Sequence, residues 1–297
     1  MSVLKQPLAN PSRIRGIYRY LLQAKGQREK TKVLARSLSP DKLVENKLTP
    51  RPMFEACIKE CIKCGLLIEE EKEEQTEIVI NPDLSEEARK PGTGDELLPN
   101  TLADLFFTLD NEDEYDLGLV CAWYLSQDVY EPPGTWEAVE QKVAEQKVGE
   151  LLKMSNNTLY GQMDDWMGYM GLLWGHALGG KRFIIPDPTL YLKRNLKYLF
   201  KQSGEKILLR EFIDRLAKKC PLFETGHFRE TIEVNIGRRE SNYLSTSTAF
   251  ALFRLRDEGY IQLIRESDAD LIILPKANNR VDDSSRKSHI IYTGKLK

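Results

Sequence analysis

FEACIKECIKCGLLIEEEKEEQTEIVI, residues 54–80, is the stretch on which the reading of the chain turns. It holds three of the five cysteines, Cys57, Cys61 and Cys64, separated by three residues and then two. Radical-SAM enzymes hold an iron–sulfur cluster with that spacing, from three thiolates that converge out of a flexible loop. Here the spacing is helical instead. Phe54, Cys57, Ile58 and Cys61 fall at i, i+3, i+4 and i+7, so two of the thiols lie on the apolar stripe that faces a core. Arg51, Glu55, Lys59 and Lys63 share the opposite, wet side. Gly65 stands where a helix end needs a left-handed residue, and residues 66–80 read as strand, polar turn, strand. Lys63 occupies the position where the cluster motif commonly has an aromatic, and no fourth metal ligand is near in sequence. The thiols are therefore expected in a core, with no metal or other cofactor.

Working outward, Ser12 is placed to cap a helix that carries Ile14, Ile17, Tyr18, Leu21 and Leu22 on one face. A shorter helix is expected over 30–38, closed by Pro40, and Thr49–Pro50 offers a cap and first turn for the cysteine helix. Three helices and a hairpin make the order of a winged helix. The same ending recurs in LSTSTAFALFRLRDEGYIQLIRESDADLIILP, residues 244–275. A helix capped by Ser245 stops at Gly259, a strand starts at Tyr260, and after an acidic turn a second strand returns over 271–274. EKILLREFIDRLAKKC, residues 205–220, would be the first helix of this second copy.

Residues 81–99 are polar and rich in Gly and Pro, which reads as a linker. LADLFFTL, LGLVCAWYLSQDVY, WEAVEQKVAEQKVGELL and LYGQMDDWMGYMGLLWGHAL are four candidate helices beyond it, and Asp187–Pro188 opens a fifth. The expected fold class is mainly α with small β wings, as two winged-helix domains flanking a helical middle domain. The boundaries are 1–82 for the first winged helix, 83–97 for the linker, 98–203 for the acidic helical middle, and 204–297 for the second winged helix with a basic tail.

Lys and Arg set against Asp and Glu give about +9 over residues 1–65, about −19 over 66–180 and about +8 over 181–297, although the whole chain carries −2. Basic ends attract nucleic acid, whereas an acidic centre more often meets protein. No apolar run reaches a membrane-spanning length and no signal-peptide pattern opens the chain, so a cytoplasmic protein with no membrane partner is expected. The scattered, odd number of cysteines suits reduced thiols.

No catalytic constellation emerges, and the expectation is a protein that is not an enzyme. His176, His227 and His289 have no metal-site spacing, and His176 is expected as a core residue of an apolar helix. Asp164 and Asp165 point about 100° apart on a helix and read as an exposed acidic face. ALGGKRF lacks the spacing of a phosphate-binding loop. Contact with double-stranded DNA remains, because a recognition helix turns its first residues to base edges while flanking cations hold phosphates. The candidate set is Arg238, Arg239, Ser245, Thr246, Ser247, Thr248 and Arg254 in the second copy. In the first it is Arg28, Lys30, Lys32, Arg51, Lys59 and Lys63. The wings EEEKEEQTE and ESDAD would press carboxylates on phosphate, so at least the first should face away from DNA.

LSQDVY, DDWMGYMGLLWG, IIPDPTLYLKRNL and LSTSTAFALFRLRDEGYI, in that order, resemble the DpdG family over most of residues 98–263. That resemblance implies a component of bacterial deazaguanine DNA-modification and restriction islands, acting in anti-phage defence beside helicase and nuclease partners. It brings no catalytic residues to positions here. The function expected is a non-enzymatic DNA-associated adaptor, gripping DNA through basic winged helices and partner proteins through the acidic middle. The alternatives are a pure protein scaffold of the defence complex and a winged-helix transcriptional regulator.

Overall fold

The computed structural model of the chain describes residues 2–43, 51–72, 75–279 and 281–294. It is mainly helical with small antiparallel sheets, as the hydrophobic periodicity predicts. The chain divides into two compact units, Met1–Glu114 and Tyr115–Lys297.

The first unit runs α1 (Pro11–Gln23), β1 (Arg28–Lys30), α2 (Thr31–Leu38), α3 (Pro52–Lys63), β2 (Leu67–Lys72), β3 (Gln75–Ile80), α4 (Glu86–Arg89) and α5 (Gly94–Phe106). Its sheet has the order β1-β3-β2, with Arg28 opposite Val79 and Leu67 opposite Ile80. Asn10 rather than Ser12 caps α1: its side chain accepts from the Arg13 amide at 3.0 Å, and Pro11 takes the first helical position. The proposed cap at Thr49–Pro50 lies outside the described residues. Ile14, Tyr18, Leu21, Leu34, Leu66 and Ile78 form the core together with Cys57, Cys61 and Cys64, all buried. Burial raises all three thiols, Cys64 to about 12, so they are held protonated. Among the described residues no group of His, Cys, Asp and Glu is placed to hold a metal ion.

The stretch read as a linker belongs to this unit. Ser85 caps α4, Tyr18 donates its hydroxyl to the Ala88 carbonyl at 2.8 Å, and Arg15 grips Asp95 at 2.7 and 2.8 Å. A Cβ on Gly94 would run into the Ala88 carbonyl, which is why a glycine opens α5. The three charge zones therefore do not correspond to units. Unit one has 17 Lys and Arg against 21 Asp and Glu, and unit two 26 against 24.

The second unit runs α6 (Tyr115–Ser126), α7 (Trp136–Gln146), α8 (Gly149–Leu152), α9 (Asn157–Met170), β4 (Trp174–Leu178), β5 (Lys181–Ile185), α10 (Thr189–Leu199), β6 (Lys206–Leu208), α11 (Leu209–Lys219), α12 (His227–Ile236), α13 (Thr246–Asp257), β7 (Ile261–Ile264), β8 (Ile272–Ile273), β9 (Arg286–Lys287) and β10 (His289–Tyr292). α6 is buried from Leu117 through Leu125, with no wet face. The expected middle domain and second copy are thus one unit sharing one core.

Three expectations are corrected here. α9 stops at Gly171, whose φ of 76° ends the helix, and the chain then forms the β4–β5 hairpin around Gly179 and Gly180. His176 is accordingly not a core helical residue; it lies exposed on β4, stacked on Trp174 at 5.3 Å. Residues 271–274 do not return beside β7. β8 pairs with β9, and the strand that closes the three-stranded sheet β6-β10-β7 is β10. Finally, 205–220 holds β6 and then α11, so α10 is the first helix of the repeated order. That order, α10-β6-α11-α13-β7-β10, matches α1-β1-α2-α3-β2-β3 with the last strand central in both sheets; α12 and the β8–β9 hairpin are insertions.

Candidate nucleic-acid interface

In the second unit, α13 places its first turn against α6 rather than toward solvent. Ser245 caps the helix, accepting from the Thr248 amide at 3.3 Å and donating to Glu224 at 2.6 Å. The Val129 amide donates to the Thr246 hydroxyl at 3.1 Å, and Ser247 donates to the Leu125 carbonyl at 2.5 Å. Ser247 and Thr248 are fully buried, Ser245 is 3% exposed and Thr246 8%. The expectation that these four hydroxyls face DNA is therefore corrected. α13 is lined on one side by Ala249, Leu252 and Leu255 and on another by Ala251, and a helix with so little polar face is covered by its neighbours.

The arginines of this set are also engaged. Arg239 joins Glu224 and Glu233, each at 2.6 Å, and donates to the Tyr243 carbonyl. Arg229, fully buried on α12, stands within the same network, 3.7 Å from Glu233. Burial pushes the Glu224 carboxyl up, but Arg239 and Arg229, with hydrogen bonds from Ser245 and Thr248, outweigh it and hold it at about 2. Burial lowers Arg229 to about 10 against the pull of Glu224. Arg254 is tied to Asp187 at 2.5 Å and to Glu258 at 3.7 Å. Only Arg238 of the three is an exposed side chain without an ion pair among the described residues, and with Arg210, Arg239 and Tyr243 it lines a cavity of about 220 Å³.

The first unit keeps more of its set in solvent. Arg28 is neutralised in the sheet by Glu70 at 2.8 Å and Glu77 at 3.3 Å, and Arg51 pairs with Asp41. Lys63 is drawn inward between Glu60 and the fully buried Glu114, the latter at 2.6 Å. Lys30, Lys32 and Lys59 remain exposed. Arg36, which the sequence reading missed, sits one turn beyond Lys32 on α2. With Lys32, Arg51, Thr31 and Glu55 it lines a groove of about 250 Å³ between α2 and α3. The i, i+4 spacing of Lys32 and Arg36 was the available signal.

The sequence profile described as DpdG-like matches residues 1–269. The chain belongs to the DpdG-like family. Membership associates it with the deazaguanine modification system. No curated protein and no solved structure matches it.

In this DpdG-like chain the other sequence candidates are structural. Asp164 is not on an exposed acidic face; it is 5% exposed and held by Arg182, with one contact at 2.7 Å. Asp165 is exposed. His227 lies 3.4 Å from the Tyr115 hydroxyl, and His289 meets Ser288 at 2.9 Å and Glu266 at 3.5 Å. Among the described residues no helix is long and apolar enough to cross a membrane. The exposed charged residues of the α2–α3 face are the cations Lys32, Arg36 and Lys59 with the carboxylate Glu55 among them, a net positive charge.

Proposed function

We propose that this protein is a non-enzymatic, DNA-associated adaptor in a bacterial anti-phage system that reads DNA modification, working beside helicase and nuclease components. In this reading both units carry a winged helix, a view supported by the shared order of helices and strands with the last strand central. The first is the DNA-contacting one. The observation that carries the proposal is the α2–α3 face, where Lys30, Lys32, Arg36 and Lys59 stay exposed, while Asp41 neutralises Arg51 in the groove and carboxylates elsewhere neutralise Arg28 and Lys63. Phosphate contact needs solvent-facing cations of this kind.

A gel shift with duplex DNA at low and moderate salt tests it. Wild type should be retained at low salt, and Lys32→Glu with Arg36→Glu and Lys59→Glu should weaken retention uniformly across sequences. No retention at low salt refutes DNA contact. A protein-scaffold reading draws on the second unit, whose helix α13 is buried where a reading helix would be exposed. Co-purification with defence proteins without DNA retention would favour it.

A further inference from the structure

We propose that the second unit meets the DNA phosphate backbone through the edge where α10 and α11 end, and not through α13; this rests on the DNA-associated reading above. Tyr198, near the end of α10, is 49% exposed. The Lys197 ammonium stands 4.7 Å from its ring centroid and the Lys219 ammonium, at the end of α11, 5.6 Å from the same ring. Arg215 fastens the two helix ends together by donating to the Leu199 carbonyl at 2.7 Å. Lys218, in the last turn of α11, and Lys201, two residues beyond α10, are exposed.

The kind of partner that holds Lys197 matters. A carboxylate cancels a cation, as Glu224 and Glu233 do for Arg239 and Asp187 does for Arg254. An aromatic face orders an ammonium through its quadrupole and leaves the whole unit charge in place. Lys197 is therefore oriented yet still carries its full charge, and an oriented lysine loses less side-chain entropy when it meets a phosphate. Lys193 extends the row along α10, 4.1 Å from the Tyr260 ring, but Glu258 at 3.2 Å neutralises it, which limits the cationic surface to the helix ends. Asp214 is exposed one turn before Lys218. A polyanion of regularly spaced phosphates fits this edge, since Lys197 on α10 and Lys218 on α11 are both exposed near the ends of their helices. The lysines also offset the negative helix ends of α10 and α11, a role that would affect folding and not binding.

Anisotropy titrations of a short labelled duplex separate the two roles. Variants are Lys197→Glu with Lys218→Glu, and the single change Asp214→Lys, compared with wild type and with Lys32→Glu plus Arg36→Glu. Losing two phosphate contacts should flatten the salt dependence, so that wild-type affinity falls about 12-fold more than the double variant's from about 50 to about 200 mM salt. Asp214→Lys should tighten binding and steepen that dependence. An unchanged slope in Lys197→Glu with Lys218→Glu, alongside a flattened one in Lys32→Glu plus Arg36→Glu, overturns this surface and leaves the DNA reading standing. No binding by wild type overturns both. Should the double charge reversal lower the melting temperature, Asp214→Lys decides: unchanged affinity refutes the proposal.

Discussion

Replacing Glu224 with glutamine should unfold the second unit at distinctly lower urea. The side chain is 5% exposed and its two oxygens hold Arg239 at 2.6 Å and the Ser245 hydroxyl at 2.6 Å. Glutamine keeps the shape but leaves Arg229 and Arg239 with Glu233 as the carboxylate between them. Stranding buried charge in this way costs about 3–5 kcal/mol. Titration gives a similar size by a separate route. The carboxyl stands at about 2 against an ordinary 4.5, and such a displacement corresponds to about 3 kcal/mol. Because the folded-state value is depressed, that contribution is complete above the ordinary value and is lost as pH falls through about 2. All four tryptophans lie in Tyr115–Lys297, so their fluorescence reports on this unit alone. With a slope of about 2 kcal/mol per molar, the urea midpoint should drop by about 1.5–2.5 M at neutral pH. The gap between variant and wild type should close as pH falls from the ordinary carboxylate range toward 2. A loss under about 1 kcal/mol, or a gap that ignores pH across that window, would show that the network carries no net stabilisation and refute the reasoning.

Lys63→Met should destabilise the first unit by about 3 kcal/mol at neutral pH, because Glu60 and Glu114 lose their shared cation. Burial raises the Glu114 carboxyl even with Lys63 present, so the loss should shrink as pH falls; hydrogen exchange over residues 52–80 reads both effects. A Cβ on Gly118 would lie 2.5 Å from the Phe228 ring, so Gly118→Ala should cost about 1–3 kcal/mol by overpacking despite better helix propensity, measured as a lower melting temperature of the tryptophan signal. All five thiols are buried, so aromatic disulfide reagents should react with them only on unfolding, and a chelator should leave the melting temperature unchanged.

Helix α3 was legible because one strong period decided it: Phe54, Cys57, Ile58 and Cys61 mark its buried face and Gly65 its end. The same punctuation located α13 and Gly259. What period and punctuation cannot give is what covers a helix. Ser245, Thr246, Ser247 and Thr248 are small and polar, as DNA-facing residues often are, and equally suited to a close helix contact with α6. Choosing between these needs the third dimension. The linker reading has a related cause, since α4 buries only Ala88 and the first turn of α5 only Gly94, which leaves no apolar period in that stretch to read. Local charge also misled: the basic start and most of the acidic stretch after it sit in one unit and offset each other. At 271–274 a short apolar run resembled a returning strand, but only long-range pairing shows that β10 fills that place.

β10 has a practical bearing on how the protein is shortened. The family match ends at residue 269, a natural place to cut the chain, yet the strand beyond it lies between β6 and β7. Its removal would part those two strands by about 10 Å and bare two inward edges of amide and carbonyl groups. Ile290 and Tyr292, now buried, would leave a slot under the sheet as well. Such a truncated product should clump on expression, whereas one ending after Gly294 should stay dispersed.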